Sequence, residues 1–166
     1  METIKETKEL KIILDFLHSI GISVVEKELP TDTFLPGLSI GPNCLEVDFD
    51  KLLYPGDILH EAGHLAVTTS ADRALIGTNK MPEEWPTQGD EIATMLWSFL
   101  ASEHLQLPID YVFHPNGYKN QSEWLIENYS KGNYIGLPLL EWMGLASKET
   151  NDASNTFPKM IKWLRD

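Results

Sequence analysis

Asp57-Ile58-Leu59-His60-Glu61-Ala62-Gly63-His64-Leu65-Ala66-Val67 is the stretch whose reading decides the fold. It follows Pro55-Gly56, a pair that breaks regular structure. Asp57 suits a helix N-cap, because its carboxylate can accept a backbone N–H of the first turn. A helix is expected from Ile58 to about Thr69, with Leu59, Ala62, Leu65 and Ala66 as its apolar packing. His60 and His64 are four residues apart, so both imidazoles share a face and can reach one ion. Neutral imidazole is a good zinc ligand. Glu61 stands between them, where its carboxylate can take a proton from water attacking a carbonyl. At this chain's histidine and glutamate content, an H-E-x-x-H match is expected by chance about 0.01 times. The motif is therefore read as chemistry: His60 and His64 as metal ligands, Glu61 as general base.

Two imidazoles leave a zinc site incomplete. A catalytic zinc takes a third protein ligand and keeps a fourth position for water. An extended three-histidine motif would need histidine where Ser70 stands, and the next histidines are His104 and His114. The third ligand is therefore expected to be a carboxylate on a second helix. Glu91 is the choice, at the start of Asp90-Glu91-Ile92-Ala93-Thr94-Met95-Leu96-Trp97. Glu91, Thr94, Ser98 and Ser102 form a polar stripe, while Ile92, Leu96 and Trp97 form an apolar face. Asp90, Asp72 and Glu103 are the alternatives. Glu61-x-x-His64 also matches half of a di-iron bundle signature, but the chain has no second Glu-x-x-His. Tyr111, His114 and Tyr118 follow the second helix as candidates for donating a hydrogen bond to a developing oxyanion.

Outward from these helices the pattern is α+β. An amphipathic helix is expected over roughly 3–20, with Gly21 as its stop. Ile22 to Leu29 and Cys44 to Phe49 read as strands, with Phe34 to Ile40 interrupted by Pro36-Gly37 and Gly41-Pro42-Asn43 as a turn. Short turns between strands favour a small antiparallel or mixed sheet packed on helices. After the second metal helix come a loop (Pro108 to Gly117), helices near 121–130 and 138–146, a polar link from Ser147 to Asn155, and a last helix near 157–165. The link is too short to separate domains, so residues 1–166 read as one domain with a core over about 12–107 and a helical extension over about 108–166. The five tryptophans are expected in core packing, His18 on the surface, and Cys44 as a buried, inert thiol.

Composition removes other classes. A hydrophobic content of 42% in 166 residues can bury a core, which excludes wholesale disorder. A formal charge of -12 repels phosphate, arguing against nucleic acid and anionic membranes as partners. No run of apolar residues is long enough for a membrane helix. The opening Met1-Glu2-Thr3-Ile4-Lys5-Glu6 lacks a secretory pattern, and the single cysteine suits a reducing compartment, so the expected location is the cytoplasm.

Taken together, His60-Glu61-Ala62-Gly63-His64 on a helix, the strand Leu45 to Phe49 before it and Glu91-Ile92-Ala93 after it resemble the minimal zincin core, and are most similar to the small ImmA/IrrE-type metallopeptidases. The resemblance runs from about Ile12 to Leu107 and leaves out Pro108 to Asp166. It implies a Zn2+ ion held by His60, His64 and Glu91, with Glu61 activating water against a peptide bond of a peptide or protein substrate. The alternative is a partner-binding module on the same fold with a structural or vestigial ion.

Overall fold

The computed structural model describes residues 7–147 and 157–166. Helix α1, Lys8–Ser19, buries Leu10, Ile13, Phe16 and Leu17 on one face, as their helical spacing requires. Its expected first turn lies outside the described residues. It ends where Gly21 takes φ +93°. The amide of Ile22 then bonds Leu17 O at 2.9 Å and that of Gly21 bonds His18 O at 3.2 Å, a Schellman closure that satisfies the last carbonyls.

Three short strands follow: β1 (Ser23–Glu26), β2 (Leu38–Gly41) and β3 (Cys44–Val47). Their order is β1-β3-β2. Strand β2 pairs antiparallel with β3, Leu38 opposite Val47, through the Pro42-Asn43 turn. Strand β1 runs parallel to β3, Ser23 opposite Cys44, so the sheet is mixed rather than antiparallel. The whole of residues 27–43 acts as the crossover, which supplies the dozen or so residues a parallel connection needs. Leu38, Leu45 and Val47 are buried beneath the helices. Cys44 is half-buried, and burial raises its thiol pKa.

Helix α2, Asp57–Val67, carries the histidine pair. Its N-cap is Gly56, not Asp57, and no side chain caps it. The amides of Asp57, Ile58 and Leu59 bond the carbonyls of Tyr54, Pro55 and Gly56 instead. Gly56 fits because a Cβ there would lie 2.0 Å from Tyr111 O, which leaves the Asp57 carboxylate free to turn inward. At the other end, orphaned carbonyls need donors. The Arg73 guanidinium donates to Leu65 O and Thr68 O, each at 3.1 Å, the Arg165 amide to Ala66 O at 2.9 Å, and the Arg165 guanidinium to Val67 O at 3.0 Å. The C-terminal end of α2 is thus held by Arg73 and by Arg165 from the far end of the chain, and its N-terminal end lies against Tyr111.

A short helix α3, Ser70–Arg73, intervenes. Helix α4, Gln88–His104, then opens on a capping box. The Asp90 amide donates to Thr87 Oγ1 at 3.1 Å and the Thr87 amide to Asp90 Oδ2 at 2.9 Å. The segment expected as a loop after Pro108 contains α5 (Ile109–Val112) and leads to a 3-10 turn, Tyr118–Asn120. Helices α6 (Ser122–Ser130) and α7 (Leu137–Trp142) follow.

The expected helix at 157–165 is absent: the segment is irregular, with one bridge between Ala146 and Met160. Side-chain anchoring outweighs its helical pattern. Trp163 packs edge-on against Phe16 (5.2 Å) and Trp97 (5.8 Å), and its carbonyl accepts the Trp97 indole N–H at 3.0 Å. Residues 148–156, most of the expected link, lie outside the described residues. Val112, Phe113, Leu125, Tyr129 and Leu140 join the same buried cluster as α1, the sheet, α2 and α4, so the C-terminal region completes the core rather than extending it. Trp97 is fully buried, but Trp124 and Trp142 are exposed rather than in the core. His18 is exposed as expected. Among the described residues no helix is long and apolar enough to cross a membrane.

Candidate metal centre

The site lies where α2 crosses α4. The rings of His60 and His64, one helical turn apart, sit 4.9 Å centre to centre at 89°. Glu91, in the first turn of α4, faces both: Oε1 is 3.1 Å from His64 Nε2 and Oε2 is 3.5 Å from His60 Nε2. Zinc donors at about 2.0–2.1 Å in a tetrahedron lie about 3.4 Å from one another. The two distances bracket that value, so the donor set and its spacing fit the ion.

A second acid is close. One donor atom each from His60, Glu61 and His64 lie within 4.8 Å of one another, and Glu61 Oε1 is 4.0 Å from His64 Nε2. Glu91 is nearer to His64, and it approaches both imidazoles through their Nε2 atoms. Glu61, 8% exposed, sits inward. Burial pushes its carboxyl up to about 7, with His60 opposing the rise and Glu91 and Asp57 adding to it. For Glu91, burial works upward, but hydrogen bonds and charge from His60 and His64 outweigh it and hold the carboxyl well below the usual carboxylate range. The two acids of the site are pushed apart, the pattern expected of one ligand and one base.

The polar stripe on α4 faces α2. Thr94 Oγ1 is 3.4 Å from His64 Nδ1, where it steadies the ring, as outer partners of metal-binding histidines do. Ser98 Oγ donates to Thr94 O at 2.8 Å. Small residues let the helices approach closely. A Cβ on Gly63 would lie 2.8 Å from Thr94 Cγ2 and 3.2 Å from Trp97 Cε3. Alanine gains about 1 kcal/mol of helix propensity over glycine, but overpacking a rigid contact costs about 1–3 kcal/mol. The difference leaves Gly63→Ala less stable than the parent by about 1 kcal/mol in denaturant unfolding of the metal-free protein. Equal stability would show that the crossing relaxes freely.

The other expected acids are elsewhere. Asp90 is committed to the capping box. Asp72 is exposed on α3, and Glu103 is exposed twelve residues beyond Glu91 near the far end of α4. Of the three oxyanion candidates, His114 is engaged: its Nε2 meets Asp57 Oδ1 at 2.7 Å, and its ring stacks on Tyr54 at 4.0 Å. Burial raises the Asp57 carboxyl, with His114 opposing. Tyr111 is pushed up to about 12 by burial and by the charge of Glu9 on α1. Tyr118 alone stands against the site, its ring edge-on to His60 at 5.2 Å. Trp85 flanks His64 at 5.9 Å, a neighbour the sequence pattern does not single out. Two surface clefts, of about 280 Å³ beside Lys27 and Lys51 and about 510 Å³ beside His104 and Phe157, are not lined by the histidine pair or Glu91.

No protein-family model, curated protein or solved structure matches this chain.

Proposed function

We propose that the chain is a zinc-dependent hydrolase on a zincin-like core, acting as a peptidase on a peptide or protein substrate. The observation that carries this reading is the convergence of Glu91 from α4 on the Nε2 atoms of both His60 and His64, with Glu61 set inward beside them. His60, His64 and Glu91 would hold the ion. A bound zinc supplies Lewis acidity, polarising an amide carbonyl and making water a nucleophile near neutral pH. Glu61 takes the proton of the attacking water and delivers it to the amine as the C–N bond breaks. Its inward position keeps that proton from bulk solvent. Thr94 holds the His64 ring, and the Gly63 crossing sets how far Glu91 must reach.

The test is metal analysis of protein purified without added metal. The parent and Glu61→Gln should hold close to one zinc per chain, His60→Ala should hold little, and Glu91→Ala should lose zinc to a chelator about tenfold more readily or worse. Equal trace metal in all four would remove the ligand assignment. Unchanged retention in Glu91→Ala would move the third ligand to Glu61.

A further inference from the structure

We propose that Tyr118 is a catalytic residue of this hydrolase: its phenol O–H donates a hydrogen bond to the carbonyl oxygen of the substrate as that oxygen becomes an anion. The proposal rests on the hydrolase reading above. It deepens that reading by naming the group that binds the tetrahedral oxyanion.

The Tyr118 hydroxyl is buried and has no hydrogen-bond partner among the described residues. A buried hydroxyl without a partner is costly, and a catalytic role is one of the reasons a native structure keeps one. The phenol ring is held on two sides, edge-on to His60 at 5.2 Å and tilted on Phe113 at 4.9 Å. Its position is therefore tied to His60 and to the buried Phe113. The backbone at Tyr118 is in the left-handed region, φ 58°, a conformation that non-glycine residues adopt sparingly and that recurs at functional sites. An ordinary phenol is protonated at neutral pH and can donate its O–H to an anion. Of the other two candidate donors, His114 also has a buried nitrogen without a partner, Nδ1, but its Nε2 meets Asp57 and its ring stacks on Tyr54, whereas the Tyr118 ring stands against His60; Tyr111 lies toward Glu9.

The chemistry balances without Tyr118 changing its covalent state. One water oxygen bonds the amide carbon, the carbonyl π pair moves onto oxygen, and the water proton goes to Glu61. When the oxygen lone pair re-forms the carbonyl, the C–N bond breaks and the amine takes the proton from Glu61. The Tyr118 O–H strengthens its hydrogen bond as charge builds on that oxygen, the condition for electrostatic catalysis.

Methylphosphonate is the probe, since its tetrahedral anionic oxygens resemble the oxyanion. Zinc-loaded parent and Tyr118→Phe are compared by titration calorimetry, alongside zinc affinity by chelator competition and the thermal midpoint. The phenylalanine keeps the ring contacts, so zinc affinity and midpoint should match the parent. Methylphosphonate affinity should fall about tenfold or more, the size expected for losing a hydrogen bond to a charged group. Equal methylphosphonate affinity in the two proteins overturns the proposal, as does a zinc-loaded parent that binds none. Loss of zinc in Tyr118→Phe also overturns it, since the residue would then be a support for His60. A parent that holds no zinc overturns the hydrolase reading itself and is recognised by that measurement alone.

Discussion

Glu61→Gln should keep its zinc and lose about a hundredfold or more of its rate of peptide-bond hydrolysis, the lower end of what a general base contributes. The two effects separate because the side chain sits beside the histidine pair without being the acid nearest to it. Glu61 Oε1 is 4.0 Å from His64 Nε2, against 3.1 Å for Glu91 Oε1. Glutamine has the same size and fills the same buried space, so packing around α2 is preserved. What disappears is the capacity to accept a proton from water and return it to the amine. The measurement is release of new amino termini from a mixed peptide library by zinc-loaded parent and variant, with zinc content determined on the same samples. A variant as fast as the parent removes Glu61 from the mechanism. A variant that loses zinc makes it a ligand, and the inward acid and the α4 acid then exchange roles.

The site was legible in the sequence to the extent that it is local. His60 and His64 share a face because four residues make about one helical turn, and that needs no tertiary information. The approach of Glu91 to the histidine pair was legible because a polar stripe on an otherwise apolar helix requires a partner, and α2 is that partner. Contacts made over long sequence distances were not legible. Asp57 has the chemistry of an N-cap, yet the start of α2 is pressed so close to α5 that Gly56 takes the cap, and Asp57 pairs with a histidine 57 residues away. The parallel pairing of β1 with β3 depends on where residues 27–37 cross, which alternation of side chains does not record. The C-terminal segment has helical spacing, but Trp163 and Arg165 are held by α1, α4 and the end of α2, and that anchoring decides its path. Tyr118 was one of three aromatic or imidazole groups of equal standing in the sequence. Only the fold separates it from Tyr111 and His114.

The metal-free protein should lose stability as pH rises from about 4.5 to about 7, and Glu61→Gln should remove most of that loss. The sign follows from the direction of the shift. Glu61 has an ordinary value of 4.5 and is pushed up to about 7 in the folded chain, first by burial. An acid whose folded value is raised binds its proton more tightly folded than unfolded. Between these two values the folded state carries more protons, so stability falls with pH. Below about 4.5 both states are protonated and the penalty is absent; above about 7 it is complete. Its ceiling is of the order of 3 kcal/mol, from about 1.4 kcal/mol for each tenfold difference in proton affinity. Glu91 works in another window: its folded value is depressed, so its contribution is lost only below its ordinary value. Asp57 is also raised by burial and slopes the same way as Glu61, which is why the comparison is between parent and Glu61→Gln rather than along one curve. Denaturant unfolding in the presence of a chelator, at half-unit steps from pH 4.5 to 7.5, measures both curves. They should run together at the acid end and separate as pH rises, the variant becoming the more stable. Parallel curves would show that the Glu61 carboxyl is not desolvated in the folded chain and that the inward setting of the base is wrong.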